Sequence, residues 1–233
     1  MKEKLSMFWA GVRAEFPLLV GVFPFGLIYG ALALNAGLST AASQLMSSIV
    51  FAGSSQFVTT QLVRDAAPTV VIILTIAVVN LRHMLYSASL APYLKNLSLR
   101  WKFLLSYLLT DEAYAPSIIK YEQEGITFLG HWFVFGAGFS LWFIWQTSTA
   151  LGIFLGAAIP TSWPLDFALP LTFIAMVIPM LKNRPMIVAA LSAGTVALLA
   201  FSLPYKLGLI LAALTGIVVG TILEGRKSPG GTL

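Results

Sequence analysis

The sequence predicts an all-α, polytopic helical membrane protein, and three observations carry that prediction. Apolar residues make up 58% of the 233 positions and charged residues only 10%, where soluble domains carry about 25% charged residues. The apolar residues gather in long runs broken by short polar stretches, more than one water-facing fold of this length could bury. The 14 lysines and arginines stand in ones and twos at the ends of those runs. They form no basic block with interleaved aromatics, so the net charge of +5 reads as membrane topology and not as nucleic-acid binding. Cysteine is absent, which leaves no disulfide, thiolate metal site or cysteine nucleophile. At about 20 apolar residues per span, the length allows at most about eight helices. The whole chain, 1–233, reads as one integral membrane domain.

In chain order, a short segment 1–15 carrying Lys2 and Lys4 is expected at the cytoplasmic face. Eight apolar segments follow, at 16–37, 42–63, 68–93, 101–119, 130–159, 164–181, 186–203 and 206–223, and then a cytoplasmic tail, 224–233. The first has a basic start and ends near Ala31-Leu32-Ala33, like a signal peptide, but Pro17, Pro24 and its late start argue against cleavage. The second carries Ser43, Gln44, Ser47, Ser48, Ser54, Ser55, Gln56, Thr59, Thr60 and Gln61, so it is either a span or a broken, re-entrant element. The fifth is long for one helix and reads as tilted or kinked.

With eight spans and the N-terminus inside, the inside set is Lys2, Lys4, Arg13, Arg64, Lys120, Lys182, Arg184, Arg226 and Lys227. The outside set is Lys95, Arg100, Lys102 and Lys206. A re-entrant second segment would give seven spans and remove the bias, so the positive-inside rule favours eight, with Arg100 and Lys102 on the wrong side. Gly26-Leu27-Ile28-Tyr29-Gly30-Ala31 resembles Gly152-Ile153-Phe154-Leu155-Gly156-Ala157, 126 residues later. This is either an internal repeat of the kind transporters use or ordinary small-xxx-small packing.

Ionisable groups inside a span cost about 2.5–3.5 kcal/mol each on insertion scales, and two places carry them. In Asn80-Leu81-Arg82-His83, helical spacing puts Asn80, His83 and Ser87 on one face and pairs Arg82 with Tyr86. In Asp111-Glu112, it puts Tyr107, Asp111 and Tyr114 on one face, and Pro116 frees the carbonyl of Glu112. Arg82 and Asp111 are either functional, a structural ion pair, or groups snorkelling to an interface. His83 is either functional or a packing hydrogen-bond donor. Breaks supply the second signal. Pro17, Gly21, Pro24 and Gly26 are expected to interrupt the first segment, and Phe51–Phe57 the second, exposing backbone groups that hold polar ligands. Pro179 is a matching kink candidate. Phe133, Trp142, Trp145 and Trp163 read as interface anchors or packing.

The strings Pro24-Phe25-Gly26-Leu27-Ile28-Tyr29-Gly30, Phe51-Ala52-Gly53-Ser54-Ser55-Gln56-Phe57, Asn80-Leu81-Arg82-His83-Met84-Leu85-Tyr86 and Thr110-Asp111-Glu112-Ala113-Tyr114-Ala115 together resemble the AzlC family. The resemblance implies the large subunit of a bacterial inner-membrane exporter of branched-chain amino acids (valine, leucine, isoleucine, and methionine with them). It also implies a small AzlD-like membrane partner and no cofactor. A zwitterionic substrate needs a cation or helix N-terminus, an anion or carbonyls, and an apolar wall. Arg82, Asp111, Glu112, Asn80, His83 and Gly53-Ser54-Ser55-Gln56 are the polar candidates, with Gly26, Phe25, Tyr29 and Phe57 beside them. Asp111, set opposite Arg82, is the candidate for the proton that drives export. The chain lacks a G-x-x-x-x-G-K-[ST] loop, so it is not itself expected to hydrolyse nucleotide. The alternatives are an intramembrane enzyme using His83 with Asp111 or Glu112, for which H-E-x-x-H is missing and His131 is the only other histidine, and a channel.

Overall fold

The computed structural model describes residues 2–156, 178, 181, 183–203 and 207–225. The helices found there are α1 (Lys2–Asn35), α2 (Thr40–Val50), α3 (Gly53–Arg64), α4 (Thr69–Leu94), α5 (Leu99–Leu108), α6 (Asp111–Glu124), α7 (Gly130–Gly156), α8 (Arg184–Leu199) and α9 (Leu207–Gly225). They fall into two compact units, one of Met1–Asp65 with Ile76–Leu165 and one of Ala66–Thr75 with Asp166–Leu233. Three helices, α1, α4 and α9, are long and apolar enough to cross a membrane, and α8 is a shorter apolar helix. The expected segment 164–181 and its Pro179 lie outside the described residues.

The first unit is built on α1 and α7. α1 runs unbroken from Lys2, so residues expected to precede the first span are its opening turns. Pro17, Gly21 and Pro24 do not interrupt it as expected. All three lie on its exposed side, away from the backbone contact with α7. Its buried stripe is Gly11, Glu15, Leu19, Val22, Gly26, Tyr29, Gly30 and Ala33, a helical repeat that faces α7. The two helices are parallel and touch backbone to backbone. A Cβ added at Gly11 would meet the carbonyl of Phe133, at Gly136 that of Phe8, at Gly30 that of Thr149, and at Gly152 that of Leu27. The strings related by 126 residues are therefore the two faces of one small-residue contact. The close-packing reading of them holds.

Between these helices the chain makes two hairpins. Ser39 accepts a hydrogen bond from the Ala42 amide at 3.2 Å and starts α2, which descends beside α7. Ser43 lies at the level of Tyr29, whose hydroxyl donates to its carbonyl at 2.9 Å, and Ser48 lies at Gln146. The chain leaves the helix at Phe51, in the left-handed region at φ 40°, and at Ala52. α3 then climbs back. Gly53 sits against Trp145, while Phe57 meets Tyr29 with ring centroids 5.9 Å apart. The segment 42–63 thus enters and leaves at the C-terminal end of α1, which is the re-entrant alternative.

α4 runs antiparallel to α3, and a second hairpin follows from the opposite end. α5 rises along α7, from Trp101 beside His131 (4.9 Å between centroids) to Leu108 beside Gly138. It ends at Leu109 and Thr110, both extended. α6 returns along α4, with Tyr114 stacked on Tyr86 and Tyr121 on Tyr93, each pair at 4.7 Å. The expectation that 101–119 is one span is corrected: it is two half-helices that begin and end at the N-terminal end of α1. Thr110 is non-helical, so Tyr107 does not share the face of Asp111 and Tyr114. Its hydroxyl donates to the Ser48 carbonyl instead.

The order helix, hairpin, helix, hairpin is an inverted repeat. Tyr29 against Phe57 is matched 57 residues later by Tyr86 against Tyr114. Ser39 and Ser98 begin the two hairpins with nearly the same backbone angles, φ −67°, ψ 158° and φ −62°, ψ 155°.

In the second unit α8 starts at Asn183, whose Oδ1 accepts from the Met186 amide at 2.9 Å, with Pro185 in its first turn. Gly216 and Gly220 of α9 sit against Ala193 and Ala189 of α8, so these two helices are an antiparallel pair.

Candidate functional site

The tips of the two hairpins meet in the first unit, and the sequence candidates converge there. Each tip presents a helix N-terminus, where free amides and the helix dipole create positive potential. α3 opens with Gly53, Ser54, Ser55 and Gln56, and α6 opens with Asp111 and Glu112. Arg82 of α4 bridges the two. Its Nη1 donates to Asp111 Oδ2 at 2.9 Å and its Nη2 to Ser54 Oγ at 2.6 Å. Beside it, Ser55 Oγ donates to Asn80 Oδ1 at 2.6 Å. Arg82 and Asp111 keep 27% and 30% of their side-chain surface exposed. Lipid cannot be what covers such charges.

Around the tips several buried polar atoms have no hydrogen-bond partner among the described residues: Gln56 Nε2, Arg82 Nε, His83 Nε2 and Thr110 Oγ1. Unpartnered buried polar atoms are rare, and water or a ligand would satisfy them. Beside them lies a cavity of about 30 Å³ lined by Val22, Phe51, Gly53, Asp111, Glu112 and Trp145, among others. That volume suits about one water and not an amino acid, so the tips stand closed.

The site also uses residues that the sequence reading passed over. Trp145, read as packing, donates from Nε1 to Gln56 Oε1 at 3.1 Å and stacks on Tyr29. Gln146 accepts from Gln44 Nε2 at 2.8 Å and from Ser48 Oγ at 2.9 Å, and donates to the Ser47 carbonyl at 3.1 Å. Ser47 and Thr149 bond at 3.1 Å. Trp142 donates to the Tyr107 hydroxyl at 2.8 Å. This network bolts the first hairpin to α7. An amide at mid-span, Gln146, was the signal available in the sequence. The second hairpin shares the Trp142–Tyr107 bond to α7 and is held on α4 by stacked tyrosines and a bond at 2.9 Å between Ser89 and the Tyr114 hydroxyl.

Two candidates make no bond to the Arg82–Asp111 pair among the described residues. Gly26 faces Ser148 in the α1–α7 contact. His83 packs edge-on against Tyr86, and Asp111 is engaged by Arg82, so no histidine–carboxylate dyad is formed. Among the described residues no group of three metal-ligating side chains gathers either.

A model of the AzlC protein family matches residues 17–159. The chain belongs to the AzlC family. An uncharacterized membrane protein of Archaeoglobus fulgidus is 33% identical over 220 residues, covering 92% of this chain and 94% of its own. The Escherichia coli inner membrane protein YgaZ is 28% identical over 225 residues, covering 93% and 89%. The Bacillus subtilis branched-chain amino acid transport protein AzlC is 25% identical over 181 residues, covering 76% and 70%. No solved structure matches the chain. The match ends close to α7, so the family segment holds both hairpins and the Arg82–Asp111 pair. This AzlC-family chain is a membrane protein.

Proposed function

We propose that this chain is the large subunit of a secondary exporter of branched-chain amino acids, working with a small AzlD-like membrane subunit in the bacterial inner membrane. The observation that carries the reading is the Arg82–Asp111 pair at the meeting of two oppositely inserted hairpins, among unpartnered polar atoms. The name of the Bacillus relative supports the substrate class. In this reading Arg82 and the α3 N-terminus take the substrate carboxylate, while Asp111 and Glu112 face its ammonium group. Phe25, Tyr29 and Phe57 wall the aliphatic side chain. Asp111 exchanges the ammonium group for the driving proton: protonation neutralises the carboxylate, releases the substrate outside, and lets proton entry and substrate exit alternate at one site. Opening one hairpin or the other exposes the site to one side at a time.

Re-entrant hairpins also change the topology we propose. Counted along the sequence, 42–63 and 101–119 no longer cross, and retaining 164–181 leaves six spans with both termini cytoplasmic. Lys95, Arg100 and Lys102 then join the inside set. Lys2, Lys4, Arg13, Lys120, Lys182, Arg184, Arg226 and Lys227 complete it, and only Arg64 and Lys206 remain outside. That bias is stronger than the eight-span one.

Valine counterflow in proteoliposomes holding the chain and its small partner tests the function. Exchange of internal for external labelled valine is expected. A flux that does not exchange would identify a channel, and chemically altered valine an enzyme.

A further inference from the structure

Glu15 takes no part in the site described above, yet it is the most costly side chain in the first unit. It lies on the buried stripe of α1, one turn after Gly11 and one before Leu19. It is 0% exposed, and neither of its carboxyl oxygens has a hydrogen-bond partner. The groups facing it decide its state. α7, packed along this stripe, carries no ionisable side chain after His131, and α2 and α3 carry none before Arg64. On α1 itself Arg13 points to the exposed side. α6 packs on α1, and its Glu112 lines a small cavity with Val22, two turns further along α1 from Glu15, with Asp111 next in sequence and Arg82 beyond. No cation meets Glu15 among the described residues. An ionised, unpaired carboxylate in such a place costs several kcal/mol, whereas a neutral acid forgoes hydrogen bonds worth about 1–3 kcal/mol. The acid form wins.

We propose that Glu15 is a proton-holding station that serves the Asp111 site through Glu112, a role resting on the transport reading above. The proton passes from one carboxyl to the next through a bridging water, because neither Glu15 oxygen stands within hydrogen-bond reach of Glu112. Protonated Asp111 yields it to the Glu112 carboxylate and Glu112 yields it to Glu15, each donor becoming a carboxylate as its acceptor becomes an acid. Glu15, having first released its own proton toward the lysine-rich N-terminal end of α1, is refilled. The station lies on the N-terminal side of the tips, which is where a proton entering from outside has to leave.

The test uses the chain and its small partner in proteoliposomes, with labelled valine and an imposed pH gradient. Glu15→Gln, the isostere of the neutral acid, is expected to assemble and keep valine exchange within twofold of the native rate. Its gradient-driven accumulation should fall at least tenfold, and Glu15→Asp should recover part of it. Accumulation by Glu15→Gln at the native level overturns the proposal. So does failure of both Glu15→Gln and Glu15→Met to assemble, because the ionised group would then be a structural element. Native protein that shows no valine exchange overturns the amino-acid reading itself, and this inference with it.

Discussion

Arg82 offers the sharpest residue-scale prediction. Its two terminal nitrogens reach Asp111 and Ser54 at once, a fork that lysine cannot reproduce. A hydrogen bond to a charged group is worth about 1.5–3 kcal/mol, so Arg82→Lys should weaken valine binding by about 10- to 100-fold. The apparent affinity in counterflow measures it, and native affinity would remove Arg82 from the substrate site. Asp111→Asn should abolish pH-driven accumulation and keep exchange. A merely structural pair predicts another pattern, in which each single change destabilises the fold and the charge-swapped double variant restores folding and transport together. These residues were legible because an arginine and an aspartate inside apolar runs are too costly to be incidental. Glu15 was not legible: two residues after Arg13 and just before the apolar run, it looked solvated, and only its packing against α7 buries it.

The glycines of the α1–α7 contact act at the scale of elements. Gly30→Ala would drive a methyl into the Thr149 carbonyl and cost about 1–3 kcal/mol. Gly21→Ala meets nothing within 4 Å and should be neutral or stabilise the helix by up to about 1 kcal/mol. Thermal unfolding in detergent compares the two, and equal effects would contradict the backbone contact. The hairpins give a second test. Cysteines placed at Lys95 and Lys102 should label from the cytoplasm, because 101–119 returns to the end it entered. Labelling from outside would restore that segment as a span. The cysteine-free chain leaves no background. The first hairpin could be read from its serines and glutamines. The second could not, since its break at Leu109-Thr110 is short, apolar on one side and unmarked by glycine or proline.

For the whole molecule, the proposed partner sets the expectation. The chain alone should export little valine, and co-expression with the small subunit should restore export. Full efflux by the purified large chain would remove the two-component reading. The sequence by itself determined the solvent and the class. With 58% apolar and 10% charged residues only lipid can accommodate the chain, and charges at mid-run pick out the candidate residues. Tertiary structure decided where the chain turns and what meets what. A half-helix and a full span share the same local hydropathy, so only contacts such as Tyr114 on Tyr86 and Leu108 on Gly138 show that α6 reverses the direction of α5. Nor does any local pattern reveal that two strings 126 residues apart are packing surfaces for each other, while the true inverted repeat, spaced by 57, is carried by aromatic contacts and backbone angles. Periodicity reports which face of a helix is apolar. Which partner covers that face is a long-range matter, settled when the backbones close on one another.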